Sequence, residues 1–167
     1  MLLVLAMRAS HEIRFARVED LANVLALVRA LADFEKLPGP DEGAAARFAS
    51  DFAAARFELL VAIADGEVVG YALYFMTYST FLARPSLYLE DLFVTPSRRG
   101  NGIGEAFLRK LAAIAVERGA GRFEWTVLDW NVRAQEFYLS LGARMLPEWR
   151  VCRVDGEALA ALGADPK

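Results

Sequence analysis

The side chains able to do chemistry in this chain are few in kind. One histidine, His11, and one cysteine, Cys152, give no His/Cys cluster for zinc or iron. Nor is there an imidazole placed to activate a serine or cysteine nucleophile, because His11 sits near the chain terminus. A lone cysteine permits no intramolecular disulfide, which points to a reducing cytoplasm, and no metal is expected. Chemistry then falls to carboxylates, Tyr, Lys, Arg and backbone amides. The segment Ser97-Arg-Arg-Gly-Asn-Gly-Ile-Gly104 places glycines ahead of a helix, where N–H groups, helix dipole and Arg98/Arg99 would favour a phosphate. Its spacing matches neither the dinucleotide fingerprint nor a P-loop, and by spacing alone it is equally a plain tight turn. Glu90 and Asp91 lie inside the apolar run Leu87 to Val94. As neighbours on a strand they should point to opposite faces unless a β-bulge re-aims one of them.

The elements that must position these groups are legible from periodicity. Glu12 to Ala16 reads as a strand, and Leu21, Val24, Leu25, Val28, Leu31 and Ala32 recur at helical spacing from Glu19 to Glu35. Leu37 to Gly43, with two prolines and two glycines, is a loop. Ala44 to Phe57 is an Ala-rich helix anchored by Phe48, Phe52 and Phe57. Glu58 to Ala64 and Glu67 to Thr77 form a hairpin about Asp65-Gly66, a dipeptide suited to positive φ. After a loop holding Arg84-Pro85 comes the strand Leu87 to Val94, then a helix through Ile103, Phe107, Leu108, Leu111, Ile114 and Ala115 that closes at Gly119. Strand Phe123 to Leu128, helix Asn131 to Leu141, strand Trp149 to Val154 and a terminal helix over Gly156 to Leu162 complete the pattern. The order implies an α/β or α+β fold: a mostly antiparallel sheet turning parallel at a βαβ unit, with covering helices.

At 167 residues, one domain is expected, with residues 1–11 a short extension and 12–167 the domain proper. The apolar opening Met1 to Ala6 is far below the ~20 residues of a membrane span. It is also short for a signal peptide and lacks a positive leading region, and it reads as a short extension before a second start at Met7. A net charge of -3 argues against nucleic acid as the main partner, and no membrane partner is expected.

Arg99-x-x-Gly102-x-Gly104, after a strand carrying Glu90 and before a long helix, resembles the pyrophosphate loop of the GCN5-related N-acetyltransferases (GNAT). Tyr88-Leu-Glu-Asp-Leu-Phe-Val94, Leu128-Asp-Trp-Asn131, Phe137-Tyr138, Leu141-Gly-Ala143 and Leu31-Ala-Asp-Phe-Glu35 are similar to its diamine/thialysine (spermidine/spermine-type) branch. The resemblance runs from about Ile13 to the terminal helix. It implies a GNAT-type mixed sheet with helices on both faces and a central βαβ cofactor unit. It also implies acetyl-CoA as acetyl donor, a small-molecule primary amine as acceptor, direct transfer in a ternary complex, and a homodimer.

The roles it implies are residue-specific. Arg99, Gly100, Asn101, Gly102, Ile103, Gly104 and Glu105 correspond to the cradle for the cofactor diphosphate. Leu92, Phe93 and Val94 correspond to the strand edge that pairs with the pantetheine arm, and Asn131, Val132, Arg133 and Ala134 to a second cofactor contact. Tyr138 corresponds to the general acid for the departing thiolate and Glu90 to the acceptor of the amine proton. Phe34, Glu35, Glu90, Asp91, Glu124, Trp125, Thr126 and Glu148 correspond to the amine pocket. The chemistry is coherent, because an alkyl amine with a reference pKa near ~10.4 arrives protonated and must lose a proton before it attacks.

Two departures bear on the acceptor. The polyamine enzymes carry an acidic residue and then a tryptophan where this chain has Ser79 and Phe81, which weakens the case for a long polycation. The stretch about Pro147-Glu148-Trp149 is shorter than theirs. A protein lysine or N-terminal acetyltransferase and a non-catalytic acyl-CoA sensor are the alternatives. Tyr78 to Ser86 reads as an aromatic loop able to cover an open trough, and Cys152 as a core residue.

Overall fold

Asp65 and Gly66, at φ 52 and 81, make the tight turn on which the central hairpin folds. A computed structural model of the protein describes residues 10–164. The apolar opening and Met7 lie outside these. The described chain divides into two compact units, one running to Thr126 and the other starting at Val127.

The first unit holds a five-stranded sheet in the order β1-β2-β3-β4-β5, namely Glu12–Phe15, Glu58–Ala64, Glu67–Ser79, Arg84–Val94 and Phe123–Trp125. The first four pair antiparallel and β4 with β5 parallel. Helix α1 (Leu21–Glu35) is followed by α2 (Ala44–Ala53), and α3 (Ile103–Glu117) makes the βαβ crossover between β4 and β5. The alternation of β2 and β3 sends side chains to both faces. Leu21, Val24 and Leu27 of α1 pack with Leu59, Val61, Tyr71 and Phe93 on one face. On the other, a Cβ at Gly70 would meet the Phe107 ring of α3 at 3.2 Å and the Phe93 carbonyl at 2.8 Å, so the helix sits close against bare backbone there. Helices therefore cover both faces.

Three expectations for this unit change. The second helix stops at Ala53, Ala55 turns at φ 52, and Phe57 lies beyond the helix, where it stacks on Phe48 at 5.0 Å. Arg84 and Pro85 belong to β4 instead of a loop, because Pro85 sits opposite Tyr78 near the strand's start, where losing one N–H is tolerated. The expected covering loop is thus mostly hairpin, with Phe81 standing out at its tip, 96% exposed. The fifth strand ends at Trp125, three residues early.

The second unit contains α4 (Val132–Ser140) and α5 (Gly156–Gly163). The expected strand from Trp149 to Val154 is not formed. Its residues have no ladder partner among the described strands, and Trp149, Val151, Cys152 and Val154 are exposed. The alternation of apolar and charged residues is a strand pattern only where an edge is available to pair with. Cys152 is correspondingly not a core residue.

Among the described residues, no helix is long and apolar enough to cross a membrane. No group of three or more His, Cys, Asp and Glu there could hold a metal ion.

Candidate active site

The turn between β4 and α3 is shaped by two glycines. Pro96–Arg98 forms a 3-10 turn, Arg99 is extended, and Gly100 and Gly102 take φ 80 and 82, where a β-carbon is strained. Gly102 is the N-cap of α3 and caps it with no side chain. The first amides of α3 therefore have no acceptor within the helix and none from the capping side chain, and they carry the positive end of its dipole. Buried Ile103 fixes the helix start, and Glu105 is engaged by Arg109 at 2.7 Å, which offsets its charge in the first turn of α3. Arg98 binds the Asp65 carboxylate at 2.5 Å, tying this turn to the β2–β3 hairpin, and the Asn101 amide donates to the Arg98 carbonyl at 3.2 Å.

Parallel pairing of β4 with β5 covers only Leu87 to Leu89. Among the described residues, no strand continues this pairing along Glu90 to Val94, so one edge of Leu92, Phe93 and Val94 is left to another partner. The Val94 carbonyl accepts from Arg99 Nε at 2.9 Å. The Arg99 guanidinium lies over the rings of Phe34 and Phe93, 5.1 and 5.4 Å from their centroids.

A bulge decides where the two carboxylates go. Leu73 faces Asp91 and Tyr74 faces Leu89, so Glu90 is the extra residue on β4. Glu90 is exposed. Asp91 instead receives a hydrogen bond from Tyr71 Oη at 3.1 Å, on the face that α1 covers. Burial pushes the Asp91 carboxyl up to about 6 against the lowering effect of Tyr71, and the negative charges of Glu90 and Glu35 add to the rise. Burial also raises Glu35, at the C-terminal end of α1. Asp91 thus stands within electrostatic reach of both Glu35 and Glu90. Tyr71 is the member that sequence reasoning missed, since nothing in an apolar strand pattern sets one tyrosine apart.

Of the other residues in this unit expected to line an amine pocket, Glu124 pairs with Arg122 at 2.8 Å, Trp125 packs on Phe123 at 4.8 Å, and Thr126 is exposed. In the second unit, Asn131 caps α4 by accepting from the Ala134 amide at 3.3 Å, and Val132 and Arg133 are exposed. Tyr138 is half-buried with its ring 5.4 Å from Phe137, and Glu148 is exposed.

Residues 24–143 match the acetyltransferase (GNAT) family. The chain belongs to that family. It is 40% identical over 167 residues to the thialysine N-epsilon-acetyltransferase of Sus scrofa, covering 92% of this chain and 98% of that one. It is 45% identical over 98 residues to the L-ornithine N5-acetyltransferase NATA1 of Arabidopsis thaliana, covering 59% and 43% of the two chains. Among solved structures, an integron cassette protein from the mobile metagenome of V. cholerae superimposes with a TM-score of 0.75 at 25% identity, over 93% of this chain and 99% of that one. The protein is a GNAT acetyltransferase, and its similarity lies with the diamine/thialysine branch.

Proposed function

We propose that the protein transfers the acetyl group of acetyl-CoA to the primary amine of a small lysine-like molecule, such as thialysine, ornithine or a diamine. The observation that carries this reading is the N-terminus of α3, which no side chain caps, behind Gly100 and Gly102 and beside the edge of β4 that no strand among the described residues pairs beyond Leu89. A diphosphate fits the first because backbone amides and a helix dipole favour anions without a cationic side chain in the turn. An amide-bearing arm fits the second because an open strand edge offers alternating donors and acceptors. Residues 99–105, Leu92 to Val94 and Asn131 to Ala134 would hold the cofactor.

Bound acetyl-CoA supplies the thioester carbon that the amine attacks. Glu35, Glu90 and Asp91, with Glu124, Glu148, Phe34, Trp125 and Thr126, attract and seat the ammonium. Glu90 takes one proton from that ammonium through water, as its exposure allows. The C–N bond forms as the C–S bond breaks, the thiolate takes a proton from the Tyr138 hydroxyl, and the nitrogen's second surplus proton replaces it. The net products are the acetamide, the CoA thiol and one proton. A second copy of the chain is the expected partner.

The test is release of free thiol from acetyl-CoA on a panel of thialysine, ornithine, diamines, spermidine and lysine peptides, with amine-independent hydrolysis subtracted. Turnover with the short lysine-like amines supports the reading. Turnover confined to peptides, or none, overturns it.

A further inference from the structure

The residue joining the two halves of this site is Arg99. Its stem is fixed by the bond from Nε to the Val94 carbonyl at 2.9 Å, and its guanidinium lies over two rings of unequal burial. Phe93 is buried in the α1-side core at 4% exposure and is a fixed anchor. Phe34 is 40% exposed and belongs to the last turn of α1, one residue before Glu35. There α1 ends abruptly. Lys36 adopts φ 58, and the Leu37 amide returns to the Ala32 carbonyl at 2.9 Å. The placement of Phe34 and Glu35 thus depends on one helix end, and Arg99 ties that end to the turn that opens α3.

We propose that Arg99 is a positioning residue that couples cofactor binding to amine binding, by holding Phe34 against the turn at Gly100 and Gly102. The inference rests on the acetyl-CoA reading above. A planar guanidinium can lie on aromatic faces and donate in its own plane at once, whereas an ammonium on a flexible stem does one or the other. An anion seated on the turn draws on the same guanidinium that lies on Phe34. Coupling of this kind is reciprocal, so each ligand alters the other's affinity by the same factor.

The experiment is titration calorimetry with CoA, and steady-state kinetics with thialysine, on the wild type, Phe34→Leu, Phe34→Tyr, Arg99→Lys and the double variant Phe34→Leu/Arg99→Lys. Thermal melting of each confirms the fold. Phe34→Leu, a change on the amine side, should weaken CoA binding about three- to tenfold. Phe34→Tyr, which keeps the ring, should restore it. Arg99→Lys should raise the KM for thialysine more than it lowers kcat, and adding Phe34→Leu to it should change CoA affinity less than twofold. CoA affinity unmoved by Phe34→Leu, or effects that multiply in the double variant, overturns the coupling while leaving the acetyl-CoA reading intact. A wild-type chain that binds no CoA overturns both.

Discussion

The Tyr71 hydroxyl donates to Asp91 Oδ2 at 3.1 Å, across the diagonal set by the pairs Tyr71–Phe93 and Leu73–Asp91, just before the bulge at Glu90. Without the extra residue on β4, adjacent positions would alternate strictly between the faces of the sheet. Glu90, the extra residue, is exposed, while Asp91 stands opposite Leu73 and is bonded to Tyr71, so two chemically similar side chains occupy different environments.

Asp91 carries a cost at neutral pH. Its carboxyl is pushed up to about 6 in the folded state, above its unfolded value, so the folded protein binds the extra proton. Stability from this group therefore increases as pH falls from about 6 toward the unfolded carboxylate value, and is reduced above 6. Asp91→Asn should raise the unfolding free energy by about 1–3 kcal/mol at pH 7.5 and by little at pH 4. Urea unfolding at the two pH values measures it, and a pH-independent difference would count against the assignment.

Ionisation of Asp91 should also appear in the kinetics. If its negative charge helps to seat the ammonium, kcat/KM for thialysine declines as pH falls through about 6, and Asp91→Asn flattens that limb. A pH–rate profile of both proteins shows whether it does.

Glu90 and Tyr138 should separate by readout. Glu90→Gln is expected to lower kcat by about 10²- to 10⁴-fold near neutral pH, with recovery as pH approaches the amine's own range. Tyr138→Phe should lower kcat while CoA still binds. Unchanged rates in both variants would remove the proposed proton path.

Much of this arrangement was visible before the fold. The Asp65-Gly66 hairpin, the helix ending at Glu35 and the helix opened by Gly102 each rest on local chemistry, turn residues or apolar spacing, and each formed. What could not be read depends on non-local pairing. The bulge at Glu90 exists only in register with Leu73 and Tyr74, and Tyr71 gains its role only from that register. The segment from Trp149 to Val154 has a strand's composition but no strand beside it. The sequence places Arg99 in the cofactor cradle, but its position over Phe34 and Phe93 depends on where α1 ends in space.

A structural control lies away from the carboxylate group. Arg118 binds both oxygens of Glu58, one of them at 2.7 Å, and the Tyr74 hydroxyl adds a third bond at 3.0 Å. The Arg118 guanidinium holds the Glu58 carboxyl below its usual range, so the network stabilises above the ordinary carboxylate value and is lost as pH falls through the lowered one. Glu58→Ala should cost about 1–2 kcal/mol at pH 7 and leave the KM for both substrates unchanged.

The turn itself admits the most direct trial. Calorimetric titration of CoA into the wild-type protein and into Gly102→Val, whose left-handed N-cap a branched side chain opposes, reports on the cradle without any acceptor amine. The account predicts saturable one-to-one binding to the wild type and a loss of at least about tenfold in the variant, both proteins remaining folded by circular dichroism. Heat of dilution alone from the wild type at millimolar CoA would contradict it.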